Sequence, residues 1–197
     1  MSAPLRLIVG IGNPGEQYAR TLHNAGVWFV TRFAERQGVV FKEEKKFFGR
    51  VAVTHYEGQE LRLLIPNTYM NHSGKSVGAL ANFFKIEPEQ MLIAHDELDL
   101  PVGAIRFKQG GGLAGHNGLK DITRALAGSK EYNRLRIGVG HPGEKEAVIG
   151  HVLGTVSKRD ESIIEQCLDE ALYQLPKAVS GDWQNAMNAL NGFSVSA

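Results

Sequence analysis

The 197 residues are 43% hydrophobic and 22% charged, with a formal net charge of +1, a balance that suits one globular domain with a sizeable core and argues against a disordered or fibrous chain. No apolar run reaches membrane-spanning length and no charged-then-apolar leader opens the chain, so neither insertion nor export is expected and the cytoplasm is. The single cysteine, Cys167, excludes an internal disulfide and is expected to pack in a core.

Strand-like and helix-like segments mostly alternate along the chain. A strand over 5–10 precedes a helix over 24–37, where Val27, Phe29, Val30, Phe33 and Ala34 recur on a helical period and Gly38 stands just beyond. Strands over 50–56 and 61–65 flank Glu57-Gly58-Gln59-Glu60, a hairpin signal that makes the sheet mixed. There follow a helix over 74–85, strands over 91–95 and 103–108, a helix over 118–127 and a strand over 135–139. Ser157 with Asp160 resembles a capping box and opens a helix over 157–179, whose apolar face holds Ile163, Ile164, Cys167, Leu168, Ala171, Leu172 and Leu175. Pro176 is predicted to kink or end it, and a last helix covers 183–190. The expected fold is a single three-layer α/β domain over 1–197, with a mixed, mostly parallel central sheet flanked by helices.

Residues 10 to 15, GIGNPG, match G-x-G-x-x-G directly after the first strand. A dinucleotide site needs the last glycine inside the opening of a helix, whereas Pro14-Gly15 is a turn signal and the helix begins only near Asn24. An acidic residue does follow about twenty positions on, but Glu35 lies inside that helix and not at a strand tip, where a ribose hydroxyl would meet it. The motif therefore reads as a turn, with its glycines expected to leave room for a substrate.

Four loop stretches at strand ends carry hydrogen-bonding side chains among glycine, proline and methionine: 12–26, 66–74, 95–103 and 110–118. Loops beyond strand ends of an α/β sheet share a rim, so these are expected to meet in one crevice. It gathers His23, His95 and His116, the carboxylates of Asp96, Glu97 and Asp99, and the amides of Asn13, Asn24, Asn67, Asn71 and Asn117. Singly, each has a plainer use: Asn13 before Pro14 as a turn residue, Asn24 as a helix cap, Asn117-Gly118 as a tight turn. A metal site is not expected, because no H-x-x-x-H, H-E-x-x-H or cysteine pair occurs, and no G-x-S-x-G marks a serine nucleophile. From Arg106 to Lys145 there are eight basic residues against three acidic ones, a local excess of five that reads as a basic face for a polyanion or as solvated surface charge.

Taken together, GIGNPGEQYARTLHNAG, the P-x-T-Y-M-N-x-S-G at 66–74, HDELDLPVG, GGG-x-x-GHNGL at 110–119 and RLRIGVGHPG at 134–143 resemble bacterial peptidyl-tRNA hydrolase over nearly the whole chain. Leu22 stands where the family usually has an arginine, and Leu113-Ala114 replace a more usual polar or glycine-containing pair. The resemblance implies hydrolysis of the ester between a peptide and the 3′ ribose of tRNA, with peptidyl-tRNA as the partner. It also implies a monomer with no cofactor, no metal, no membrane and no obligate protein partner. By the same likeness His23 is the base that activates water, and Asp96 holds its ring. Asn117 and Asn71 place the water or the oxyanion, and Asn13 discriminates blocked from free aminoacyl-tRNA. Tyr18, Tyr69 and Met70 line the path of the terminal nucleotide and peptide, and Lys108 and Arg136 grip the 5′ phosphate. Arg136 has the alternative of pairing with a carboxylate to hold the sheet. Two rival classes are a non-catalytic RNA-binding module, excluded if N-blocked aminoacyl-tRNA yields free tRNA, and an NAD(P)-dependent oxidoreductase, decided by cofactor titration.

Overall fold

The protein is described here by a computed structural model covering residues 2–196. One seven-stranded sheet runs through it in the order β2-β3-β4-β1-β5-β7-β6. Its centre is parallel: β1 (Leu7–Gly10) lies between β4 (Gln59–Pro66) and β5 (Met91–Glu97), and β5 pairs onward with β7 (Asn133–Gly138). Both margins are antiparallel, formed by β2 (Lys42–Glu44) with β3 (Gly49–Tyr56) on one side and β6 (Ile105–Gln109) on the other. The β3–β4 hairpin closes on Glu57 and Gly58, both with positive φ (51° and 72°), the two-residue turn whose twist matches its strands.

Side-chain alternation along the strands makes the three layers. Ile8, Leu92, Ala94, Leu135 and Ile137 meet α1 (Ala25–Gln37), α5 (Lys158–Val179) and α6 (Trp183–Leu190) on one face. Leu7, Val9, Met91 and Ile93 meet α2 (Ser73–Phe84) and α3 (Asn117–Ala125) on the other. Cys167 belongs to the first core, and burial pushes its thiol up to about 11. A short helix, α4 (Val148–Val152), precedes α5.

Gly10 and Gly12 of GIGNPG serve packing, whereas Gly15, with φ +101°, serves the turn. A Cβ on Gly10 would stand 2.4 Å from the Gly26 carbonyl oxygen, and one on Gly12 would stand 2.7 Å from the Asn24 side chain. They bring α1 and Asn24 against the strand, which corrects the expectation that they make room for substrate. Pro176 does not end α5 at its own position. The helix runs on to Val179, because Ala178 and Val179 bury completely and outweigh one missing N–H donor within the last turn. Ser157 caps the start, accepting the Asp160 N–H at 3.1 Å.

Candidate active site

The helix after β1 covers one face of the sheet and the helix after β4 the other, so the carboxyl ends of β1, β4 and β5 border an open crevice, the place where α/β sheets bind ligands. A cleft of about 350 Å³ opens there. Asn13 and His23 form one wall, Tyr69, Met70 and Asn71 a second, and Gly115, His116 and Asn117 a third, with Asp96 and Glu97 on the floor.

Asp96 is the hub. Its side chain is 2% exposed, its Oδ2 accepts from His23 Nδ1 at 2.8 Å and its Oδ1 accepts from His116 Nε2 at 2.8 Å. Burial alone opposes the carboxylate, but attraction and hydrogen bonds from His116 and His23 outweigh it and hold the carboxyl well below its usual range. The proton positions follow from the partners. His116 sits at the N-cap of α3, where its Nδ1 accepts the N–H groups of Gly118 and Leu119 at 3.1 and 3.4 Å, so its proton is on Nε2 and points at Asp96. His23 gives its Nδ1 proton to the same carboxylate, which leaves Nε2 as a free lone pair at the cleft.

Neighbouring segments fix that geometry. The turn holding His23 is tied to the chain after α4 by the bond from Leu22 N–H to the Gly154 carbonyl (3.3 Å), and by Val156 N–H to Arg20 (2.9 Å). Asn13 Oδ1 accepts the Met70 N–H at 2.7 Å, so its Nδ2 remains as a donor for the cleft. Asn24 does not cap α1; its amide clasps the Asn13 backbone instead.

The expected crevice is assembled only in part. Asn13, His23, Tyr69, Met70, Asn71, Asp96, Glu97, His116 and Asn117 line it. Tyr18 stands outside the lining, with its ring edge-on to Tyr69 at 6.4 Å. Asn67 lines a neighbouring crevice behind Asn13. His95 is buried beneath the site, its Nδ1 donating to the Asp96 carbonyl at 2.8 Å, and burial, with His116 beside it, pushes its imidazole down to about 3. Lys108 and Arg136 also lie outside the cleft, on the margin formed by β6 and β7, and Arg136 Nε donates to Glu97 Oε1 at 2.8 Å, the pairing foreseen as its alternative.

Sequence reasoning gave no role to His116, because histidine is not among the residues that ordinarily cap a helix and its capping Nδ1 is visible only in the fold. It also passed over α4, whose Val148, Ile149 and Val152, with Leu153 just beyond, make an apolar wall of the cleft. His23 Nδ1, the Asp96 carboxylate and His116 Nε2 lie within 4.8 Å of one another, close enough to bracket a cation. Each nitrogen is nonetheless at hydrogen-bond distance from its own carboxylate oxygen, and the three groups form a complete hydrogen-bonded chain.

Fold and site define the class: an α/β enzyme with a histidine–carboxylate centre at the carboxyl edge of its sheet. A family model described as peptidyl-tRNA hydrolase matches residues 7–197. Peptidyl-tRNA hydrolase of Alcanivorax borkumensis is 54% identical over 193 residues, 98% of this chain and 99% of that protein. The protein of the same name from Tolumonas auensis is 51% identical over 197 residues, the full length of both. The crystal structure of peptidyl-tRNA hydrolase from Acinetobacter baumannii superposes with a TM-score of 0.94 at 47% identity, covering 98% of each chain. The chain belongs to the peptidyl-tRNA hydrolase family.

Proposed function

We propose the following course for the reaction of this family member, the hydrolysis of peptidyl-tRNA. The observation that carries it is the free Nε2 of His23, opposite a ring nitrogen committed to a buried carboxylate. Nε2 takes a proton from a water, and the resulting hydroxide attacks the carbonyl carbon of the ester joining peptide to ribose. Asp96 stabilises the imidazolium that forms. The tetrahedral oxyanion is met by neutral donors, Asn117 and Asn71, and the intermediate collapses by expelling the ribose oxygen, to which His23 returns the proton. An ester needs no stronger electrophile than this, so the course involves no metal and no covalent enzyme intermediate.

The free Nδ2 of Asn13 recognises the carbonyl of a blocked α-amino group, and Tyr69 and Met70 flank the path of peptide and terminal nucleotide, with Tyr18 supporting Tyr69. Lys108 and Arg136 take the 5′ phosphate at the margin of the sheet; the bond to Glu97 uses only Nε of Arg136, which leaves its Nη donors for an anion. Among the described residues no helix is long and apolar enough to cross a membrane, and the setting proposed for the enzyme is the cytoplasm, as a monomer. The test is release of free tRNA from N-acetyl-aminoacyl-tRNA. His23→Ala should lower kcat by about 10² to 10⁴ with the melting temperature unchanged, and retention of more than about a tenth of the rate would remove His23 as the base.

A further inference from the structure

Arg134 is the largest fully buried side chain of the protein, 1% exposed, and no carboxylate pairs with it among the described residues. Its Nη2 donates to the Gly110 carbonyl at 3.2 Å, and its Nη1 is buried with no partner at all. Register places it directly across from Lys108 on the β6–β7 ladder, and two residues before Arg136 on the same side of β7. The carboxylate that acts on Arg134, Glu97, is engaged by Arg136, and the Glu131 carboxylate, 4.0 Å from where a Cβ on Gly110 would stand, makes no ion pair with Arg134. Lys108 in turn lies against the start of the glycine loop: a Cβ on Gly111, which has φ +91°, would stand 2.7 Å from Lys108 Cε, 2.9 Å from Nζ and 3.7 Å from Arg134 Nη2.

A buried, unpaired guanidinium beside a second cation is costly, because each charge has lost water and gains repulsion in exchange. Such a group is stabilised when an anion joins it. Accepting the phosphate role of Lys108 stated above, we infer that Arg134 is the buried third cation of that subsite, a positioning residue that fixes the Gly110–Gly111 turn and adds its charge beside Lys108 toward a terminal phosphate monoester. Lys108 bears the mark of the crowding: burial, then Arg134 and Arg136, draw its ammonium below the usual range. Gly111 completes the subsite, since any side chain there would displace the Lys108 ammonium.

The test compares one N-acetyl-aminoacyl-tRNA with its 5′ phosphate and the same molecule dephosphorylated. In the wild type KM should be lower for the phosphorylated form. Arg134→Gln should raise that KM by roughly tenfold, the loss of a charge-assisted contribution, with kcat and the KM of the dephosphorylated form unchanged. Equal KM changes on both substrates, or a lower melting temperature with the KM difference intact, would overturn the proposal. Lys108→Ala controls the reading beneath it. If that variant keeps the KM difference, the phosphate subsite itself fails. If it abolishes the difference while Arg134→Gln keeps it, only the role of Arg134 fails. Wild-type protein gives an independent readout. The side-chain Nε–H resonance of Arg134 should shift with a 5′-phosphorylated acceptor-stem hairpin and not with its 5′-hydroxyl counterpart, and identical responses would overturn the proposal whether or not the variant folds.

Discussion

The side chain of Asn24 grips both backbone polar groups of Asn13: its Oδ1 accepts the Asn13 N–H at 2.8 Å and its Nδ2 donates to the Asn13 carbonyl at 2.9 Å. Asn13 is thereby fixed at the turn after β1, and its own Oδ1 fixes Met70 across the cleft. Asn24→Ala breaks the clasp at its root. It should cost about 1–3 kcal/mol of stability, from two partly buried backbone groups left without partners. It should also lower kcat by roughly tenfold, because a displaced donor no longer meets the bound ester. Calorimetry beside kinetics checks both, and full activity in a destabilised variant would separate the clasp from catalysis.

Asp96→Asn has a consequence that the two histidines dictate. An amide has one acceptor oxygen, and His116 claims it, because its Nδ1 is occupied by the α3 N–H groups and its Nε2 must donate. The amide nitrogen then faces His23 Nδ1, which forces the His23 proton onto Nε2 and removes the lone pair from the cleft. The expected loss in kcat is about 10³ to 10⁴, as for a base held in the wrong tautomer. Adding His116→Ala frees the amide to turn over, and the double variant should recover part of the rate. A double variant no faster than Asp96→Asn would show that tautomer is not what Asp96 controls.

The layers and the central strands were legible because their residues announce themselves locally. Val27 to Ala34 repeat at helical spacing, and Glu57-Gly58 supplies the two residues that a tight hairpin requires. β2 was not legible: its Lys42, Glu43 and Glu44 are the charges of an edge strand, which carries no apolar alternation. Helix α4 is a single turn, too short for a period. For the site, the loops that meet could be named from chain order, but the partner of each polar group could not. Asn24 has the composition of a cap and the geometry of a clasp, and His95 shares a stretch with Asp96 yet faces away from the cleft, as strand alternation requires.

Gly26 governs how closely α1 approaches the sheet. A Cβ there would lie 2.0 Å from the Ala94 carbonyl oxygen and 3.1 Å from the Ile11 nitrogen. Both neighbours are backbone, so no side chain can yield. Gly26→Ala should destabilise by about 3 kcal/mol or more, the range of severe overpacking. Gly150, inside α4 with nothing within 4 Å of a Cβ, is the contrast; Gly150→Ala should be neutral or stabilise by up to about 1 kcal/mol. Denaturant unfolding of the pair checks the assignment, and similar effects at both glycines would contradict it.

His95 and Asp96 make the fold acid-sensitive over two different ranges of pH. The buried His95 imidazole is pushed down to about 3, whereas an unfolded histidine titrates near 6.5, so between these values the unfolded chain binds a proton that the folded chain refuses. Stability must therefore fall as pH drops below about 6.5, at up to about 1.4 kcal/mol per pH unit. The Asp96 carboxyl is held below its usual range, so its contribution is intact above about 3.9 and is lost only as pH falls further. His95→Gln removes the first window alone. It shifts stability by a constant amount through the lost bond to the Asp96 carbonyl, but between about pH 4.5 and 6 the slope of stability against pH should be shallower than that of the wild type by close to one proton. Urea titrations of both proteins across that range measure the slope, and parallel lines would show that His95 gains a proton in the folded state as readily as in the unfolded one.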